Sequence, residues 1–170
     1  ISAFQEEMTS WRHHFHEHPE LAYKEINTSK KVVELLKSFG IDNIEEGLGK
    51  TGIVATLENG KGKSIGLRAD MDALPIFEEN NDKKYKSKTD GKMHACGHDG
   101  HTTMLLGAAK YLSETKNFNG KVILIFQPAE EGFAGAKAMI EDGLLEKYPI
   151  DEIYGMHNMP GLEAVSYTHL

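Results

Sequence analysis

The chain has 170 residues, 39% of them hydrophobic and 26% charged, which is enough for one globular domain with a core. Its formal net charge of -7 argues against a surface for nucleic acid or an anionic membrane, because such surfaces need clustered lysine and arginine. One cysteine excludes an internal disulfide, and the longest apolar run is too short to span a bilayer, so a cytoplasmic location is expected.

The spacing of apolar residues predicts four helices and four strands. The predicted helices cover residues 4–15, 28–39, 101–112 and 135–145, and the predicted strands cover residues 51–57, 64–69, 121–126 and 151–156. The glycine-rich turn at 59–62 predicts that the first two strands form a hairpin. The third strand is an uninterrupted β-type run, as in a strand buried on both faces. Helix and strand alternate in the second half, which predicts an α/β sheet with parallel crossovers.

Side chains suited to metal binding or proton transfer follow three of the predicted strands. Asp70 and Asp72 follow the second strand, Glu130 and Glu131 follow the third, and His157 follows the fourth. In an open α/β sheet, ligands bind outside the carboxyl ends of the strands. These side chains are therefore expected to meet at one edge of the sheet.

The segment 94–101 contributes a thiol and imidazoles. Cys96 and His98 lie two residues apart, and Gly97 permits a bend between them. Thiolate, imidazole and carboxylate are the ligands that a borderline divalent cation selects. Asp99 is a candidate cap for the helix that follows.

Each of these residues also has a simpler interpretation. A lone cysteine is most often a small buried hydrophobic side chain, and adjacent glutamates often form the acidic first turn of a helix. An exposed or capping role is the favoured interpretation for His94 and His101, and a structural role is favoured for the N-terminal histidines, which are His13, His14, His16 and His18. The convergence of separate elements on one edge nevertheless favours a site.

Several motifs occur in a fixed order between about Met8 and Gly161. They are HPEL at 18–21, KTG at 50–52, RADMDALP at 68–75, MHACGHDGHT at 93–102, QPAEEG at 127–132 and GMHNMP at 155–160. Together they resemble the amidohydrolase branch of the aminoacylase and carboxypeptidase metallopeptidase family. The resemblance implies an α/β fold of the zinc-peptidase type, with a mixed, mostly parallel sheet flanked by helices.

The resemblance also implies a dinuclear metal site that hydrolyses the amide bond of N-acyl amino acids such as hippurate. Glu130 would be the general base for a metal-activated water, and Asp72 would support a metal-binding group. Asp70 stands where other branches carry a metal-binding histidine. Two divalent ions (zinc, manganese or cobalt) would share four ligands from this chain, namely Cys96, His98, Glu131 and His157.

The resemblance further indicates which part of an enzyme this chain contains. Residues 1–162 correspond to the N-terminal part of a catalytic domain, and residues 163–170 form an atypical tail. The family's further histidine ligand and its lid or dimerisation domain are not found in these residues, so the catalytic domain is expected to be incomplete, and the full-length protein to be a homo-oligomer.

Three alternatives remain beside hydrolysis of hippurate-like substrates. The first is a catalytically inert metal-binding fragment. The second is a relative that acts on N-acetyldiaminopimelate or on auxin conjugates. The third is a cysteine hydrolase that uses Cys96 with a histidine, although no oxyanion-hole motif accompanies it.

Overall fold

One five-stranded sheet organises residues 2–163, which are the residues that the computed structural model describes. In chain order the strands are β1 (Ile44–Leu48), β2 (Gly52–Asn59), β3 (Ser64–Asp70), β4 (Gly120–Gln127) and β5 (Glu152–Gly155). Their spatial order is β1-β2-β4-β3-β5. Strand β3 is parallel to both β4 and β5, whereas β2 is antiparallel to β1 and β4. The predicted mixed sheet is confirmed.

Helices flank this sheet. They are α1 (Gln5–Glu17), α2 (Ile26–Ser38), α3 (His98–Thr115), α4 (Glu130–Phe133), α5 (Gly135–Glu141) and α6 (Leu144–Lys147), with a 3-10 turn at Ser2–Phe4. The fourth predicted helix is two helices, because Gly143 adopts a left-handed conformation with φ 92° between α5 and α6. None of the helices described within residues 2–163 combines the length and apolar character needed to cross a membrane. The predicted tail at 163–170 lies, apart from residue 163, outside the described residues.

The predicted hairpin between β2 and β3 is wrong, because β4 lies between them. Leu124 of β4 pairs with Ala55 of β2 on one side and with Leu67 of β3 on the other. The most apolar strand thus takes the central position, where both of its faces are buried. The glycine-rich turn passes across the start of β4, whose Lys121 N–H donates to the Lys63 carbonyl at 3.0 Å.

Strand β4 supplies both hydrophobic layers, as its apolar run predicted. All of its residues from Val122 to Gln127 are buried. Leu124 and Phe126 pack into the layer that α1, α2 and α3 cover, whereas Ile123 and Ile125 pack into the layer beneath α5 and α6. Burying one such side chain stabilises the fold by about 1.5–3 kcal/mol.

The carboxyl ends of β3, β4 and β5 lie at one edge of the sheet, and α3 begins beside them. Helix α3 starts at His98, three residues earlier than predicted. Gly97 is its N-cap residue with φ 92°, a left-handed conformation that glycine adopts without a steric penalty. The cysteine and histidine of the 94–101 segment therefore reach the strand ends from a turn that only glycine tolerates well.

Candidate metal centre

Three of the predicted ligands form a compact group of donor atoms. One atom each from Cys96, His98 and Glu131 lies within 4.8 Å of the other two. His98 Nε2 and Glu131 Oε1 are both buried, and neither has a hydrogen-bond partner among the described residues. Buried polar atoms are normally paired, so two unpaired atoms 3.8 Å apart beside a thiol suit a shared cation.

The fourth predicted ligand lies at the same edge. His157 follows β5, and its Nε2 is 3.4 Å from Cys96 Sγ. Its Nδ1 lies 2.7 Å from the Asn158 carbonyl, so Nδ1 carries the proton and Nε2 keeps the lone pair that a metal needs. The structure therefore brings all four predicted ligands together.

Asp72 connects the histidine of the group to its glutamates. Its two carboxylate oxygens accept the backbone N–H groups of Glu130 and Glu131, each at 2.9 Å. His98 Nδ1 lies 2.8 Å from the Asp72 carbonyl and 3.3 Å from its Oδ1. A partner of this kind fixes the tautomer of a ligating histidine and directs its other nitrogen towards the metal.

Negative charge is concentrated around these donors. Burial raises the pKa of Cys96 to about 11, and the nearby Glu131 carboxylate adds to the effect. Burial alone would lower the pKa of His98, but the hydrogen bond with Asp72 and the charge of Asp70 outweigh it and raise that pKa. A divalent cation would compensate this charge and bind the thiol as thiolate.

Two buried histidines contradict the sequence interpretation. The exposed or capping role favoured for His94 and His101 is wrong, since both side chains are buried. His101 Nδ1 lies 2.7 Å from Asp70 Oδ1, and its donor atoms group with those of Asp70, His98 and His157. The helical spacing from His98 to His101 could have revealed this, because residues three apart share one helix face.

Asp99 belongs to a separate buried cluster. It does not cap α3; its carboxylate contacts His16 Nδ1 at 2.9 Å and Arg12 Nε at 3.3 Å. The other nitrogen of the His16 ring is 3.2 Å from Glu78 Oε1. The structural role predicted for His16 agrees with these contacts, which tie α1 to the first turn of α3.

Comparison with known proteins places this arrangement in a family. Residues 66–168 match Peptidase family M20/M25/M40. The chain belongs to this family. This match confirms the family resemblance that the motifs indicated.

Individual relatives agree with that assignment. The chain is 58% identical over 161 residues to hippurate hydrolase of Campylobacter jejuni. This alignment covers 94% of the chain and 41% of the relative. It is 49% identical over 162 residues to IAA-amino acid hydrolase ILR1-like 5 of Arabidopsis thaliana, covering 94% of the chain and 36% of the relative. The chain thus spans about two fifths of these relatives.

A solved structure supports the fold. The YXEP protein of Bacillus subtilis, described as a dinuclear metal binding peptidase from the M20 family, superimposes with a TM-score of 0.88 at 42% identity. The match covers 95% of the chain described here and 45% of the Bacillus subtilis protein. The zinc-peptidase-type fold implied by the motifs is confirmed.

Proposed function

We propose that the protein is part of a metal-dependent amidohydrolase that cleaves the amide bond of N-acyl amino acids with hippurate-like structure. The observation that carries this proposal is the pair of buried, unpartnered atoms, His98 Nε2 and Glu131 Oε1, beside Cys96 Sγ. The names of two relatives that act on acylated amino acids support the substrate class.

The metal ligands in this proposal are Cys96, His98, Glu131 and His157. Two divalent ions, when bound, would lower the pKa of the attacking water and polarise the amide carbonyl. The thiolate ligand favours zinc, while manganese and cobalt also accept imidazole and carboxylate. Asp72 fixes the positions of these groups, because its carboxylate accepts the backbone N–H groups of Glu130 and Glu131 and lies 3.3 Å from His98 Nδ1.

Glu130 is the proposed general base. Its backbone is fixed by Asp72, its side chain is 40% exposed, and its Oε2 lies 3.8 Å from His98 Nε2. The carboxylate can therefore reach a water molecule beside the ligand group and accept its proton. The hydroxide oxygen then bonds to the carbonyl carbon, the C–N bond breaks, and Glu130 returns the proton to the departing amine.

A cysteine hydrolase is disfavoured by the surroundings of Cys96. A nucleophilic cysteine needs a lowered pKa, usually from a neighbouring cation or helix N-terminus. Burial and Glu131 instead raise the pKa of Cys96 to about 11. This thiol is suited to deprotonation by a bound metal and not to direct attack on a carbonyl.

For the 170 residues alone we propose weak metal binding and poor hydrolysis. Residues 1–162 would supply four ligands of a dinuclear site, and the family resemblance implies a further histidine and a lid domain from the rest of a full-length enzyme. The inert metal-binding fragment therefore remains the second candidate for this chain. Turnover by the 170 residues equal to that of a full-length protein would reject it.

The test of the proposed function uses a protein extended to the length of its relatives. We expect release of benzoate and glycine from hippurate, loss of that activity after chelation, and its return with zinc, manganese or cobalt. Auxin–amino acid conjugates and N-acetyldiaminopimelate assayed in parallel decide the acyl preference. Hydrolysis that survives verified metal removal, and that alkylation of Cys96 abolishes, would establish the cysteine hydrolase instead.

A further inference from the structure

We propose that Asp70 and His101 are positioning residues that hold His157 in the orientation needed to bind metal. The proposal rests on the proposed function, in which His157 is a metal ligand. It assigns a role to Asp70, which the sequence left without one, and to His101, which the sequence placed at the surface.

A series of hydrogen bonds, called the relay below, connects Asp70 through His101 and Asn158 to His157. It starts at the end of β3. Arg68 Nη1 donates to Asp70 Oδ2 at 2.7 Å, and His101 Nδ1 donates to Asp70 Oδ1 at 2.7 Å. Asp70 and His101 are both buried, so this carboxylate and this ring are held by neighbours on all sides. Charge-assisted bonds of this length are among the stronger hydrogen bonds in proteins.

The relay then reaches the residue after the proposed ligand. His101 Nε2 faces two atoms of Asn158: it accepts the backbone N–H at 3.1 Å when it carries no proton, and it donates to the side-chain amide Oδ1 at 2.6 Å when it is protonated. A Cβ at Gly97 would collide with that amide, so the glycine leaves the space that Asn158 occupies. The Asn158 carbonyl in turn accepts the Nδ1 proton of His157, which leaves Nε2 facing Cys96.

The segment after β5 needs such a restraint because packing does not provide one. His157, Met156 and Met159 are all exposed, in contrast to the buried His98. Two rings of α3 contact His157: the His101 centroid lies 4.6 Å from that of His157 and the His98 centroid 5.8 Å, and of these two rings His101 also hydrogen-bonds to Asn158.

Direct metal binding by Asp70 and His101 is the competing explanation, since their donor atoms group with those of His98 and His157. Both oxygens of Asp70 and both nitrogens of His101 already have partners. Among the donor atoms at this edge of the sheet, the buried ones without a hydrogen-bond partner in residues 2–163 are His98 Nε2 and Glu131 Oε1. A positioning role is consistent with all of these hydrogen bonds, whereas direct metal binding by Asp70 and His101 would break several of them.

The test is a cobalt titration of the 170-residue chain, followed through the thiolate-to-cobalt charge-transfer band. We expect His101→Gln to keep the band, because Cys96 remains a ligand, and to weaken cobalt binding by about 10–100-fold. The same substitution at His16, which is buried between two other carboxylates, should leave the affinity near that of the wild type.

A double-variant cycle separates positioning from other roles. If His101 acts only through His157, then His101→Gln combined with His157→Ala should bind cobalt as His157→Ala alone does. Additive losses would overturn the relay and favour His101 as a ligand in its own right. A wild-type chain that shows no charge-transfer band would overturn the metal centre itself, and the relay with it.

A second variant covers the case in which His101→Gln fails to fold. Asn158→Ala changes an exposed side chain and removes only the amide contact to the His101 ring. We expect a several-fold loss of cobalt affinity that disappears in the His157→Ala background. Unchanged affinity in Asn158→Ala together with a misfolded His101→Gln would also refute the relay.

Discussion

Asp72→Asn should destabilise the fold as well as the site. Asp72 is buried, and its two oxygens separately accept the backbone N–H groups of Glu130 and Glu131. Asparagine presents one oxygen, so its amino group must face one of those N–H donors. Losing one hydrogen bond to a charged group, with its partly buried N–H donor left unpaired, should lower the free energy of unfolding by about 3 kcal/mol. The melting temperature should fall by about 6–12 °C.

The measurement is urea unfolding of the metal-free chain, followed by the cobalt titration. The matched control is Asp42→Asn, which makes the same chemical change at an exposed position and should stay within about 0.5 kcal/mol of the wild type. We expect Asp72→Asn also to weaken cobalt binding by about 10–100-fold, because the carboxylate that fixes the Glu131 backbone and lies 3.3 Å from His98 Nδ1 loses its charge, although His98 keeps the Asp72 backbone carbonyl. An unfolding free energy for Asp72→Asn equal to that of Asp42→Asn would refute the reasoning.

Three further predictions concern the base, a buried histidine and the core. In the full-length protein, Glu130→Gln should retain metal, measured by elemental analysis, and lose about 10²–10⁴-fold in turnover; near-normal turnover would identify another base. The hydrogen bond with Asp99 raises the pKa of His16 above its ordinary value of 6.5, so the stability from this contact should be complete below pH 6.5 and be lost as pH rises through the higher folded-state pKa. Urea unfolding across that range should show the loss in the wild type, and the same loss in His16→Gln would contradict the assignment. Phe126→Ala should lower the free energy of unfolding by about 3–5 kcal/mol. Phe77→Ala, at a side chain that is 71% exposed, should lower it far less. Equal losses in the two variants would contradict the core described above.

The four predicted strands, and the convergence of side chains at the carboxyl ends of three of them, could be predicted from the sequence. Alternation of helix and strand after residue 100 requires parallel crossovers, and polar residues directly after apolar strands then meet at one edge. The unbroken apolar run of β4 also predicted its burial on both faces. Strong local patterns of this kind depend little on the rest of the chain.

Strand order could not be read in the same way. The turn at 59–62 has hairpin composition, yet β2 and β3 are separated by β4, because the most apolar strand gains most from the central position. Strand β1 was missed, since its sequence Ile-Glu-Glu-Gly-Leu is short, polar and at the sheet edge. Pairing partners depend on contacts distant in sequence, which composition does not encode.

The site was predictable in its ligands and not in its supporting contacts. Cys96 and His98 are close in sequence and chemically distinctive, whereas the role of His101 depends on Asp70 and Asn158, which are distant in sequence. Asp99 likewise has the composition of a helix cap but is engaged by His16 of α1. Such contacts become visible only when the helices are placed against the sheet.

The most direct test of the central claim is a crystal structure of the chain grown with zinc or manganese, with anomalous scattering data collected at the metal edge. We predict an anomalous peak within bonding distance of Cys96 Sγ, His98 Nε2 and a Glu131 oxygen, with Asp70 and His101 still hydrogen-bonded to each other. A fully metal-loaded crystal whose peak lies elsewhere, or that has no peak at this edge of the sheet, would contradict the account.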